Sequence, residues 1–176
     1  DTAGNALARD TSFSFTTRTK PVLPFEGPGG PILVVGSQTN PFSFYYAEIL
    51  RAEGFNAFAT ADVSQLTPAL LGNYDVVIVG EIPLSAANIS DLSGWAAAGG
   101  TLIAFKPVSG LNSLLGLTAA SGTSPEGSYI LVDNNTDEGK GIVGRTMQFH
   151  GVANNYSLNG ATRIATIYSN ATTATA

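Results

Sequence analysis

The sequence predicts an α/β domain: a parallel sheet of strand order 2-1-3-4 with helices on both faces. Three observations predict it. Apolar runs at 32–35, 76–79 and 102–105 are uninterrupted, the first as a strand buried on both faces requires. Between them lie capped segments with apolar residues at helical spacing. The connections are short, and strand–helix–strand alternation with short connections brings each strand back parallel to the last.

Ile32-Leu33-Val34-Val35 ends at Gly36 and reads as the first strand. Asn40-Pro41 predicts a helix start, with Asn40 as N-cap and Pro41 at the first helical position. Phe42, Tyr45, Tyr46, Ile49 and Leu50 then follow the i, i+3, i+4, i+7, i+8 rule, and Gly54 ends the helix. Residues 55–60 form a short second strand. Thr67-Pro68 caps a short helix through Leu71. Asp75-Val76-Val77-Ile78-Val79-Gly80 is the strongest strand in the chain. Ser85 caps the next helix, whose inner face is Ile89, Leu92, Trp95 and Ala96; Gly99-Gly100 stops it. Trp95 is expected in the core. Thr101-Leu102-Ile103-Ala104-Phe105 is the fourth strand. Beyond Lys106 the pattern weakens. Residues 111–115 read as one or two helical turns, and 129–132, 146–150 and 163–168 as short extra strands.

Composition narrows the partners. Charged residues are 12% of the 176, against a usual quarter, while hydrophobic content of 44% suffices for a core. The formal net charge of −5 and scattered Lys and Arg supply no phosphate-binding footprint, so nucleic acid is not an expected partner. No apolar run reaches spanning length, so membrane insertion is not expected. Cysteine is absent, which removes thiolate nucleophiles, disulfides and Cys-ligated zinc. Low charge with abundant Gly, Thr, Ser and Asn suits an exported bacterial protein. The sequons at Asn88, Asn134, Asn155 and Asn170 are what chance yields in so Asn-rich a chain.

Residues 1–17 hold a Gly4-Asn5 turn followed by the alternating Ser12-Phe13-Ser14-Phe15-Thr16-Thr17. This resembles the last strand of the Ig-like domains that bacteria string together in secreted and surface-layer proteins. The expected organisation is 1–17 as that terminal strand, 18–31 as a linker holding Pro21, Pro24, Pro28 and Pro31, 32–170 as the α/β domain, and 171–176 as a linker or truncation. The chain is then expected to be a piece of a larger extracellular or cell-surface protein. An isolated strand is marginal, so self-association through residues 1–17 is expected too.

From 31 to 170 the chain resembles the class I glutamine amidotransferase-like superfamily in its flavodoxin-like form. The phrases that carry the resemblance are Pro31-Ile32-Leu33-Val34-Val35, Tyr45-Tyr46-Ala47-Glu48-Ile49-Leu50-Arg51-Ala52-Glu53-Gly54, Tyr74-Asp75-Val76-Val77-Ile78-Val79-Gly80-Glu81 and Trp95-Ala96-Ala97-Ala98-Gly99-Gly100-Thr101-Leu102-Ile103-Ala104. The most similar subgroup occurs beside Ig-like repeats in long bacterial extracellular proteins. Amidotransferases place a Cys on a strained turn after a central strand, with a His-x-Glu pair later. The matching turn here is Phe105-Lys106-Pro107-Val108-Ser109, without Cys, and the single His150 is followed by Gly151-Val152. The resemblance therefore implies the fold without the amidase machinery.

Four constellations remain. Ser109 and His150, with Asp133 or Glu126 as orienter, have the residue types of a hydrolytic triad, without a Gly-x-Ser-x-Gly elbow. Glu81 and Lys106 follow adjacent strands. They are expected as an ion pair at the carboxyl edge, where doubly wound folds bind ligands, with His150 nearby. Ser37, Gln38 and Asn40, in the loop before the first helix, complete that crevice as candidate ligand-binding residues with Glu81; the same residues serve equally to cap the helix. Asp133-Asn134-Asn135-Thr136-Asp137-Glu138 has the start of a calcium loop but Glu138 at the glycine position, and reads as a solvated acidic turn; no metal or cofactor is implied.

The sequence thus points to a non-catalytic structural or adhesive module that contacts neighbouring domains of its parent chain or glycan. The alternative is an extracellular hydrolase of carbohydrate or amide substrates using Glu81, Lys106, His150 and Ser109, or an accessory domain to such an enzyme.

Overall fold

A computed structural model describes residues 29–173 together with Ser14. The expectations for 1–17, for most of the linker and for 174–176 fall outside the described residues. Four parallel strands make the main sheet: β1 (Ile32–Gly36), β2 (Phe58–Asp62), β3 (Val76–Val79) and β4 (Thr101–Ala104), in the order β2-β1-β3-β4. Ile32 is in register with Phe58 on one side and Val76 on the other, and Val76 with Thr101. Central β1 is buried on both faces, which is why its sequence is a continuous apolar run.

Alternation along the strands feeds two cores. Val34, Ile78 and Phe58 face α1 (Tyr45–Ala52) and meet its Ala47. Leu33, Val35, Val77 and Val79 face the opposite side, where Leu71 of α2 (Pro68–Leu71) and Leu92 of α3 (Ala86–Ala97) close the larger core. The caps of α2 and α3 are those expected. Thr67 Oγ1 accepts from Leu70 N at 3.2 Å, and Ser85 and Asn88 form a reciprocal capping box. Trp95 is half-buried instead of buried: it packs against the larger core and its indole donates to Tyr74 O at 3.3 Å.

The first helix differs from the sequence reading. Residues Pro41–Phe44 form a 3₁₀ turn, and α1 proper starts at Tyr45. Asn40 makes no side-chain cap. The buried positions are Ser43, Phe44 and Ala47, while Phe42, Tyr45 and Ile49 are exposed, Phe42 by 81%. The cause is close approach at the strand ends. A Cβ on Gly36 would lie 2.8 Å from the Phe44 ring, and one on Gly80 would lie 2.8 Å from Ser43 O. The tight turn presses Ser43 and Phe44 onto these glycines and turns the helix so that, of the expected apolar face, Tyr46 and Leu50 pack against the core while Phe42, Tyr45 and Ile49 do not. The second strand also starts three residues later than expected, leaving Phe55 exposed.

Beyond β4 a 3₁₀ turn at Ser109–Leu111 replaces the expected helical turns. Two small antiparallel sheets follow. β5 (Gly122–Ser124) pairs with β8 (Ala153–Asn155), and β6 (Tyr129–Val132) lies between β7 (Met147–Gln148) and β9 (Ala165–Tyr168). β5 and β8 escape a sequence reading because Gly-Thr-Ser and Ala-Asn-Asn carry no apolar alternation.

Candidate functional site at the carboxyl edge

The loop after β1, the end of β3 and the turn after β4 meet at the carboxyl edge of the sheet. Lys106 Nζ lies 3.2 Å from Glu81 Oε2, so the expected ion pair forms. Its side chains are 40% and 61% exposed, which limits the pair's contribution to about 1 kcal/mol or less. Asn40 Nδ2 donates to Glu81 O at 3.1 Å and ties the first loop to the same corner. The Tyr46 ring stacks on Phe105 with centroids 4.0 Å apart and planes 17° from parallel. Burial first, and the Glu81 charge second, raise the Tyr46 hydroxyl above its usual range.

Lys106 has φ 41°, the left-handed region, and is the only non-glycine with positive φ among the described residues. Side chains other than glycine's adopt this conformation at a cost of roughly 1–3 kcal/mol. The strained turn thus stands directly after β4, with the Lys106 ammonium on it.

The first loop is closed on itself. Ser37 N donates to Ser43 Oγ at 2.7 Å, Gln38 N to Asp62 Oδ2 at 2.7 Å, Thr39 N to Ser37 Oγ at 3.3 Å and Asn40 N to Ser37 O at 3.0 Å. Each backbone N–H that would hold an anion is already given to a protein oxygen. These bonds organise the turn into the 3₁₀ segment, although Asn40 itself makes no side-chain cap. Ser37 is 5% exposed and its hydroxyl shares a hydrogen bond with Thr39. Asp62 also accepts from Ser64 N and Ser64 Oγ. These bonds, the Ser64 hydroxyl foremost, lower its pKa from the ordinary carboxylate value. Sequence reasoning missed Asp62. Its signal is the capping box with Gln65, three residues on, a spacing visible in the chain.

The triad residues stay apart. His150 Nδ1 pairs with Glu126 Oε1 at 3.3 Å, both side chains well exposed at 86% and 69%. Of the two carboxylates that the sequence offered as partners for His150, Glu126 is the one beside it. Ser109 is exposed at the start of its 3₁₀ turn, and no hydrogen bond joins it to His150 among the described residues. Asp133 bonds within its own turn, accepting from Asn135 N at 3.0 Å and Asn135 Nδ2 at 2.9 Å, and those bonds lower its pKa. The carboxyl edge thus brings together a carboxylate, an ammonium and a phenol. The imidazole and Ser109 are not joined into that arrangement.

No protein-family model and no curated protein matches the chain. Among solved structures, the fold is similar to part of the exo-β-1,4-mannosidase Op5Man5 from Opitutaceae bacterium strain TAV5, with a TM-score of 0.54 and 15% identity. The match covers 82% of this chain and 28% of that enzyme's length. At that identity the likeness is one of fold alone.

Proposed function

We propose that the chain is a non-catalytic, amidotransferase-like module of a secreted or cell-surface bacterial protein that handles carbohydrate. Its role is structural or adhesive. One observation carries this reading: the strained turn after β4 presents Lys106, and its ammonium is held by Glu81, while His150 is spent on Glu126. A nucleophile and its base must lie within hydrogen-bond reach of each other. The fold likeness to a minor part of a mannosidase supports the carbohydrate setting, because an accessory domain recurs beside a catalytic one without sharing its site. The self-association attributed to residues 1–17 belongs to the same proposal.

The test is turnover. The 176-residue chain is incubated with β-1,4-mannohexaose, cellohexaose and glutamine, and products are followed by chromatography and ammonia release. The expected result is no product above buffer. Cleavage that Glu81→Gln, Lys106→Met or His150→Ala abolishes would establish the hydrolase reading in its place.

A further inference from the structure

Three adjoining clefts follow the antiparallel strands. The first, about 340 Å³, lies between the 133–135 turn and Arg163. The second, about 470 Å³, shares Arg163, Ala165 and Thr166 with it. The third, about 650 Å³, shares Asn154 and Tyr156 with the second and ends at Phe105 and Lys106. The shared residues set the three clefts side by side, from the acidic turn to the carboxyl edge of the main sheet, and they are taken together as one groove. Each segment is within the size range of a small-molecule site, and their succession suits a chain of repeated units over a single compact ligand.

The chemistry of the walls narrows the occupant. Asn154 Nδ2 donates to the Tyr156 hydroxyl at 3.1 Å. That bond leaves the Tyr156 O–H as a donor and the Asn154 carbonyl oxygen as an acceptor, side by side. Adjacent sugar hydroxyls, each both donor and acceptor, are the complement of such a pair. Arg163 is exposed and has no carboxylate partner among the described residues, so its five N–H donors are available. Phe105 and Phe149 line the apolar end of the third cleft, which suits the C–H face of a pyranose ring. Charges along the groove offset one another: Asp133 stands with Arg163 in the first cleft, and Lys106 at the far end is neutralised by Glu81. With a net charge of −5 on the whole chain, a polyanion is disfavoured and a neutral ligand fits.

We propose that this groove binds a neutral oligosaccharide, read by Asn154, Tyr156 and Arg163 and floored by Phe105 and Phe149. The proposal rests on the reading of the chain as a module of a carbohydrate-handling protein, and names the ligand class and where it lies.

The experiment is a heteronuclear NMR titration of the 176-residue chain with β-1,4-mannohexaose, cellohexaose and xylohexaose, with an acidic oligogalacturonate as a fourth probe. The same samples are analysed for cleavage. The expected result is saturable shift changes at the side-chain amide of Asn154 and Nε–H of Arg163 with at least one neutral probe. Arg163→Ala and Tyr156→Phe should each weaken that binding about tenfold or more, with the remaining spectrum unchanged as the check on folding. The Tyr156→Phe variant keeps the ring, so its effect reads the hydroxyl alone. Saturation by none of the neutral probes overturns the proposal. So does binding of the oligogalacturonate alone, or saturation that neither variant weakens. Absence of binding without cleavage leaves the non-catalytic reading standing; cleavage overturns that reading whether or not the groove is filled.

Discussion

Replacing Lys106 by alanine and, separately, by glycine reads the backbone strain after β4 directly. Both variants lose the ion pair with Glu81, so that contribution cancels between them. At an ordinary loop position alanine is the more stable of the two by about 0.4–1 kcal/mol, because glycine has more chain entropy to lose. At φ 41° a Cβ crowds the backbone, at a cost of about 1–2 kcal/mol that glycine escapes. The second effect wins: Lys106→Gly should be more stable than Lys106→Ala by roughly 0.5–1 kcal/mol. Urea unfolding followed by the fluorescence of the single tryptophan resolves this. With a slope of about 2 kcal/mol/M, the midpoints should differ by roughly 0.3–0.5 M. An alanine variant as stable as the glycine variant, or more stable, would refute the argument, because the turn would then be an ordinary loop and Lys106 an ordinary surface lysine.

Trp95→Ala should cost about 3 kcal/mol, the low end for an aromatic truncation, since the ring is half-buried but packs on the larger core and holds Tyr74 O; an unchanged unfolding midpoint would show that α3 does not depend on it. Asp62→Asn should cost about 1 kcal/mol near neutral pH, because an acceptor for Gln38 N or Ser64 is lost. The folded-state pKa of Asp62 is depressed below the ordinary 3.8. Its contribution is therefore complete above about pH 5 and is lost as pH falls through the depressed value. The stability gap between parent and Asp62→Asn should accordingly narrow in acid, and a gap that widens on acidification would contradict the assignment.

Why much of the fold was legible, and where legibility stopped, can be seen in particular residues. β1 and β3 declare themselves because both faces are buried, so Ile32–Val35 and Val76–Val79 are apolar without break. Ser85 and Thr67 mark helix starts because their caps are local and depend on nothing distant. The face of α1 was misread because it is decided by contact across the sheet, where Gly36 and Gly80 admit Ser43 and Phe44, and spacing along one helix cannot report such a contact. The Glu81–Lys106 pair follows from topology alone, since parallel neighbours β3 and β4 end side by side. The partner of His150, Glu126, was harder to single out, because no periodic element fixes the route of the chain after Lys106. The groove is built from those later segments, polar in sequence, and Asn154, Tyr156 and Arg163 come from the neighbourhood of two separate sheets, so only the tertiary fold brings them to one cleft.

The two margins of the main sheet are unlike. At the start of β2, Gly29 N donates to Phe58 O, so the residues leading into β1 are tied to that strand. β4 pairs with β3 alone among the described strands, carries no charged residue, and leaves Ile103 43% exposed. Neither proline nor lysine guards it until Lys106-Pro107 at its very end. An uncharged margin of this kind has a limited grammar: it can meet its like across a two-fold axis, and a join made there would use up the β4 margin of both copies. Pairing along β4 would therefore end at two copies and could not run on into a ribbon.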